Sequence, residues 1–325
     1  MCTAISDRGH THLFGRTLDL EYSLGEKIVI TPREFVFDWR GGGEDKSGYA
    51  IMGVAHIENE YPLYYDAINE TGLGIAALNF PEFAKYYPPS KHQTNLASFE
   101  LIPAILRKCK NVREAIESLD KVNVTNVDFS SNMKATPLHW LITDKNSCIT
   151  AEPTADGLKV YENKIGALTN SPPFPYHKLN LSNYATVSPR TKENELCPDV
   201  ELKTYSRGMG AIGLPGDFSS ASRFVKAVFV KNNTDREESY LYKKEISRFF
   251  HVMDTVSVPK GCIKTDTLKS VSTVYTSCAD TEHGIYYFTT YDCRRIRAVS
   301  MNGYDLDSKD LISFNMDMEE DLLYI

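Results

Sequence analysis

The second residue constrains this chain most. Met1-Cys2-Thr3-Ala4-Ile5-Ser6 opens the sequence, and removal of Met1, which we expect, leaves a thiol and a free α-amine on one residue. A thiol is a weak nucleophile until it loses its proton, ordinarily near a pKa of about 8.5. The α-amine, ordinarily at about 7.7 to 8.0, can take that proton near neutral pH. With both groups on one residue, their alignment costs almost no extra conformational entropy. Taken alone, a cysteine in this place is more often a small buried hydrophobe.

The next residues give the thiol company. Thr3 to Ser6 is short and β-prone, and Asp7-Arg8-Gly9-His10-Thr11 forms turns, so a hairpin is expected. A pivot near Gly9 brings Cys2 opposite Arg16 on the returning stretch His12 to Asp19. A guanidinium there favours thiolate over thiol, by roughly 1 to 3 pH units for opposite charges a few ångströms apart. It also disfavours the ammonium form of the amine. Asp19 stands where it can hydrogen-bond that amine. Locally, Arg16 and Asp19 fit a surface ion pair, worth roughly 0 to 1 kcal/mol, equally well.

Several functions are disfavoured at once. The net charge is −7, from 36 basic and 43 acidic residues, and no Lys/Arg-rich run occurs, which argues against nucleic acid as a partner. No stretch approaches the ~18 apolar residues of a membrane helix, and no basic-then-apolar secretory leader is visible. The seven cysteines are odd in number and scattered, with no CxxC pair, so neither a disulfide framework nor a zinc site is indicated. A reducing cytoplasm is the expected compartment.

No Gly-x-Ser-x-Gly elbow and no HExxH motif is present. The glycine-rich Gly213-Leu214-Pro215-Gly216-Asp217 lacks the Lys-Ser/Thr of a phosphate loop. His139, beside Trp140 in an apolar run, fits a core histidine with one hydrogen bond.

At 325 residues the chain can bury a large core as one domain, residues 1–325, with no internal repeat or linker. Strands are expected at 27–31, 34–39, 49–57, 64–69 and 73–78, then helices at 99–109 and 112–119. Strands follow at 138–143, 147–152, 158–161 and 166–168, helices at 221–230 and 239–253, and closing strands at 275–277, 285–290 and 297–300. This order suggests sheets enclosed by helical layers, an α/β (α+β) protein.

Amide cleavage by a thiolate passes through an oxyanion, which needs fixed hydrogen-bond donors worth roughly 2.7 to 4 kcal/mol each. Asn170, in Leu168-Thr169-Asn170-Ser171-Pro172, and Asn79, in Leu78-Asn79-Phe80-Pro81, can supply them. Asparagine near proline is otherwise ordinary turn chemistry. Arg223 follows the turn at 213–217 on the first part of a helix, where an arginine is usually solvated.

Cys2, Phe14-Gly15-Arg16-Thr17-Leu18-Asp19, Asn79, Asn170 and the segment from Gly213 to Phe224 together resemble the choloylglycine hydrolase family of bile salt hydrolases and penicillin V acylases. These are N-terminal-nucleophile amidases, and the resemblance runs from Cys2 to about Phe314. It implies a four-layer αββα sandwich of two antiparallel sheets between helices. It implies catalytic roles for Cys2, Arg16, Asp19, Asn79, Asn170 and Arg223, with oxyanion donors from the Asn170 side chain and the Asn79 main chain.

By the same resemblance, Asn79 favours bile salts, since penicillin V acylases typically carry tyrosine there. Arg207, in Ser206-Arg207-Gly208, resembles members that prefer glycine conjugates over taurine conjugates. A homotetramer is the family habit. The expected substrate is a conjugated bile salt, and Leu18, Tyr22, Tyr65 and Phe129 are the expected wall of its apolar cleft.

The expected chemistry is acyl transfer through a Cys2 thioester, with the α-amine shuttling the proton and no metal or organic cofactor needed. A penicillin V or acyl-homoserine-lactone acylase, a bile acid amine N-acyltransferase and a catalytically silent amphiphile-binding protein are the alternatives.

Overall fold

The strands Cys2–Arg8 and His12–Leu20 form the expected hairpin in the computed structural model, which describes residues 1–236, 242–316 and 319–325. Its register differs from expectation: Arg8 pairs His12, Ala4 pairs Arg16 and Cys2 pairs Leu18. Asp7 and Arg8, which read as turn residues, stay in the strand because the Asp7 carboxylate is gripped by Arg236 and Arg248. Cys2 is therefore diagonal to Arg16 rather than opposite it. The displacement is an even number of residues, so both side chains remain on one face.

The hairpin lies inside a seven-stranded antiparallel sheet among the described residues. Ala167–Leu168 pairs Cys2–Arg8 on one side, and His12–Leu20 is followed by Ser270–Asp280, Ile285–Thr290 and Cys293–Ser300. A second, eight-stranded sheet runs from Gly157–Glu162 through Cys148–Thr154, Leu138–Thr143, Gly74–Asn79, Tyr61–Asn69, Ile51–Glu58 and Lys27–Thr31 to Ile312–Asn315.

Alternation along the second sheet places its two faces. Ile28, Ile30, Met52, Val54, Ile68 and Leu78 join the core shared with the first sheet. Their neighbours Val29, Ile51, Ala55, Ala67, Ile75 and Ala77 pack with Leu101, Ile105 and Ala115 of the helices Leu101–Leu106 and Val112–Leu119. The helices Ser220–Asn233 and Tyr242–Asp254 pack on the first sheet. The result is the expected four-layer αββα sandwich, with strands apolar on both faces because both are covered. No helix among the described residues is long and apolar enough to cross a membrane.

The differences from expectation have local causes. The expected strand at 34–39 is reduced to Phe37–Asp38, because the Arg107 guanidinium takes the carbonyls of Pro32, Arg33 and Phe35. The helix expected at 99–109 becomes a short 3-10 turn and Leu101–Leu106, with Glu100 bonding back to the Ala97 amide. The strand expected at 275–277 extends over Ser270–Asp280. The short helix Phe174–Asn180 and the parallel pair Thr94–Ala97 with Val122–Thr125 were not expected. Ser239, the expected start of the last helix, lies outside the described residues.

Two β-bulges flank the interior end of the hairpin. Val54 pairs Asp66 while Ala55 pairs Tyr64, leaving Tyr65 as the extra residue. Asp19 pairs Thr273 while Leu18 pairs Tyr275, leaving Val274 extra. A bulge locally releases main-chain groups from the ladder and re-aims side chains.

At the hairpin's turn end, buried His12 ties the layers together through hydroxyls of Ser6 (3.0 Å), Thr143 (3.3 Å) and Thr281 (2.8 Å). Burial, then the nearby Arg8 charge, lowers its pKa to about 4. Between pH ~6.5 and ~4 the unfolded chain therefore binds a proton that the folded chain refuses, so stability falls as pH drops through that window. Urea denaturation should show up to about 3 kcal/mol lost over this range beyond other titrations, and His12→Gln should flatten that part of the slope.

Candidate active site

Cys2 is almost fully buried in the first sheet, and its main-chain nitrogen donates to Asn170 Oδ1 at 2.8 Å. Asn170 follows the two-residue edge strand Ala167–Leu168, and every polar group it owns is engaged. Its N–H donates to Ser220 Oγ (2.9 Å), and its carbonyl accepts from His177 Nε2 (2.9 Å). Its Oδ1 also accepts from Arg223 Nη2 (2.7 Å), and its Nδ2 donates to the Asn79 carbonyl (2.7 Å). Two donors on one end and a carbonyl on the other fix the orientation of the carboxamide. The second Nδ2 hydrogen has no partner among the described residues.

Asn79 lies where two strands part. Pairing between Tyr61–Asn69 and Gly74–Asn79 extends only to Asp66 opposite Ala76. Phe80 N–H bonds to Pro137 on the other side, so Ala77 and Asn79 present their main-chain groups toward the gap. The Ala77 carbonyl takes Arg16 Nη1 there, and the Asn79 carbonyl takes Asn170. The Asn79 N–H points into that same gap. Asn79 Oδ1 is buried with no partner among the described residues.

Arg16 fills the parting from the opposite sheet. Its Nη1 also donates to the carbonyl of the bulged Tyr65 (3.0 Å), and Nε to Thr17 O (3.2 Å), while the buried Nη2 has no partner among the described residues. Burial alone would pull its pKa down, but Cys2, Tyr275, Asp66 and Asp19 outweigh that and hold it above the ordinary arginine value. Arg223, on the first turn of a helix capped by Ser219, is equally buried. It donates to Cys2 O, to Thr3 Oγ1 (2.7 Å) and to Phe218 O (3.0 Å), bracketing the main chain at Cys2. Burial lowers its pKa, and Asp19, 4.0 Å away, and Cys2 oppose the shift.

Asp19 does not hold the Cys2 nitrogen as expected; Asn170 does. The alternation that puts Cys2 and Arg16 on the face toward the second sheet puts Asp19 on the helix side with Thr3 and Thr17. Its carboxylate accepts from Thr17 Oγ1 (3.3 Å) and Thr273 Oγ1 (2.7 Å), and its main chain exchanges bonds with Met1. Thr273, beside the second bulge, also accepts the Val258 N–H at 2.8 Å.

Around Asn170 stand residues that sequence reasoning left out. His139 Nε2 donates to the Thr169 carbonyl (2.8 Å), and its Nδ1 meets Glu152 Oε1 (3.0 Å). Glu152 accepts the Phe174 N–H, and the His139 ring stacks on Phe80 at 4.3 Å. His139 thus makes two hydrogen bonds instead of one, and it joins the neighbour of Asn79 to the neighbour of Asn170. Its place inside an alternating apolar strand was the one available signal.

Of the expected wall, Leu18 is buried opposite Cys2, and Tyr65 approaches through its carbonyl. Tyr22 is exposed, with Lys269 Nζ 5.9 Å from its ring centre. Phe129 packs in an aromatic cluster with Tyr61 (5.6 Å) and Phe99 (5.3 Å), and no described contact joins it to Cys2. Arg207 is exposed in the loop before a 3-10 turn at Met209–Ala211, and no described contact joins it to the site.

The family model for linear amide C–N hydrolases, choloylglycine hydrolase family, matches residues 2–314. A bile salt hydrolase/transferase of Lactiplantibacillus plantarum is 42% identical over 319 residues, covering 98% of each chain. The crystal structure of the C2A mutant of a conjugated bile acid hydrolase from Clostridium perfringens superposes with a TM-score of 0.93 at 33% identity, over 100% of both chains. Penicillin V acylase from Agrobacterium tumefaciens shares the fold, with a TM-score of 0.77 at 20% identity over 97% of this chain and 91% of that one.

Thr273→Val keeps the shape of the side chain but strands one Asp19 oxygen and the Val258 N–H without partners. An unfolding free energy lower by about 1–3 kcal/mol is expected in denaturant titration, with Thr273→Ser close to wild type.

Proposed function

Because this chain belongs to the choloylglycine hydrolase family of linear amide C–N hydrolases, we propose that it is a bile salt hydrolase, cleaving the amide of glycine- or taurine-conjugated bile acids. The observation that carries this is the convergence of the Cys2 nitrogen, the oriented Asn170 carboxamide and the Asn79 main chain, with buried Arg16 electrostatically coupled to Cys2. Relatives that match nearly end to end bear bile salt hydrolase names.

The active species lacks Met1. With Met1 attached, the Cys2 nitrogen is a peptide amide that only donates, here to Asn170 Oδ1. Released as an amine, it keeps that bond and gains a lone pair to accept the thiol proton. The thiolate attacks the substrate carbonyl, and the developing oxyanion is met by the spare Asn170 Nδ2 hydrogen and the Asn79 N–H. The amine returns the proton to the leaving nitrogen, then activates the water that hydrolyses the thioester. Arg223 holds the Cys2 and Asn170 main and side chains in register, and Asp19 balances Arg223 in the dry interior.

Arg207 would take the carboxylate of a glycine conjugate in a bidentate fork that a sulfonate fits less specifically. Transfer of the acyl group to an amine in place of water is a second reading, favoured by the hydrolase/transferase names of relatives. Product analysis with excess free amino acid separates it from hydrolysis. We take the chain as one domain, cytoplasmic and tetrameric, which light scattering and cell fractionation would test.

Purified active protein should be one methionine lighter than the encoded chain by intact mass, and should hydrolyse glycocholate in preference to phenoxymethylpenicillin. Cys2→Ala should lower kcat by about 10⁴-fold or more. Full activity in a preparation that keeps Met1 would end this mechanism. Arg207→Ala should lower kcat/KM for glycocholate several-fold more than for taurocholate; an unchanged ratio would remove Arg207 from substrate selection.

A further inference from the structure

One buried ionisable group near the site has no part in the mechanism above. Asp66, fully buried on the strand Tyr61–Asn69, reaches across to the first sheet and takes three hydroxyl donors from it. Tyr275 donates to Oδ1 at 2.5 Å, Ser277 donates to Oδ2 at 3.0 Å, and Tyr286 also donates to Oδ2. Three O–H donors and no acceptor describe an environment prepared for a carboxylate.

The charge it answers is Arg16. Arg16 N–H donates to Ser277 Oγ (3.1 Å), the same hydroxyl that donates to Asp66. Arg16 Nη1 donates to the carbonyl of Tyr65, the bulged residue just before Asp66. Two short paths therefore connect the carboxylate to Arg16, one through the Ser277 hydroxyl to its main-chain N–H and one through the Tyr65 carbonyl to its guanidinium. Two fully buried cations flank the Cys2 segment, and buried carboxylates act on both. Arg223 has Asp19 at 4.0 Å on the helix side, and Arg16 has Asp66 on the side of the second sheet. An uncompensated guanidinium in such a place would carry a heavy desolvation cost.

We propose that Asp66 is a positioning residue for Arg16: held by three hydroxyls of the opposite sheet, it fixes the guanidinium beside Cys2 and sets how much positive potential the thiol feels. The groups facing Asp66 are Arg16, Tyr275, Ser277 and Tyr286. Burial holds the pKa of Asp66 above the usual carboxylate value, and Arg16 and the three hydroxyls oppose that rise only in part. This inference rests on Cys2 being the nucleophile.

The test is the pH dependence of iodoacetamide alkylation of the mature enzyme, with kcat/KM for glycocholate measured alongside. Asp66→Asn keeps the size and removes the negative charge. Less anionic potential favours thiolate, so the alkylation midpoint moves to lower pH. The rate below the wild-type midpoint then rises roughly threefold to tenfold, and the acid limb of kcat/KM moves the same way. Tyr275→Phe removes one donor, makes the carboxylate easier to protonate, and gives a smaller movement in the same direction. Arg16→Gln moves the midpoint upward.

Curves for Asp66→Asn and Tyr275→Phe that coincide with wild type, or move upward, overturn the proposal. So does a loss of activity by one factor at every pH with alkylation unmoved, which is what a purely structural group would give. Should Asp66→Asn not fold, Tyr275→Phe alone decides. Labelling is read at the Cys2 peptide by mass spectrometry, because the exposed Cys197 and Cys262 also react. If that peptide takes no label, or Cys2→Ala keeps full activity, it is the nucleophile assignment that fails; a label on Cys2 with an unmoved curve defeats only the role of Asp66.

Discussion

The hydrogen bond from the Cys2 nitrogen to Asn170 Oδ1 is the contact on which the rest of the site depends. It fixes the start of the chain to a residue 168 positions away, and it does so with a side chain whose other end reaches the second sheet at Asn79. Arg223 closes the same junction from the helical layer. Three of the four layers thus meet at one carboxamide. Because such a group is planar and its two ends differ chemically, the assembly admits one orientation. The histidines, Ser220 and Glu152 restrain the main chain around it.

How much of this was legible follows from range. The hairpin, the doubly apolar strands of the second sheet and the four helical stretches were visible because their signals are local: alternation, spacing and caps. The register of the hairpin was not, since what keeps Asp7 and Arg8 in the strand is a pair of arginines more than two hundred residues away. The strand expected at 34–39 failed for the same reason, its carbonyls being claimed by Arg107. The six residues expected to be catalytic do lie on a few adjoining elements. Their individual contacts could not be read, as the exchange of Asp19 for Asn170 at the Cys2 nitrogen shows. Arg207 was chosen by family resemblance and Phe129 as an apolar wall residue, and no described contact brings them to Cys2.

The two bulges explain how a regular sandwich accommodates a polar site. An uninterrupted ladder would spend every carbonyl on its neighbour strand. At Tyr65 the extra residue frees a carbonyl for Arg16, and at Val274 the extra residue accompanies the turn of Thr273 toward Asp19. Each bulge thus serves one ionic partner, one on either face of the central hairpin. The interior is polar along this line, as it is at the buried His12 network and at the His139–Glu152 pair.

One margin of the first sheet is only two residues long, Ala167–Leu168, and the chain departs from it at once toward Asn170. A longer border strand would present a row of unspent amides and carbonyls as a template for a foreign strand. Ending it early removes that template and, in the same step, lets the backbone swing away carrying its carboxamide. Guarding the sheet against adhesion and delivering a carboxamide to the Cys2 nitrogen are, at this corner, one geometric event.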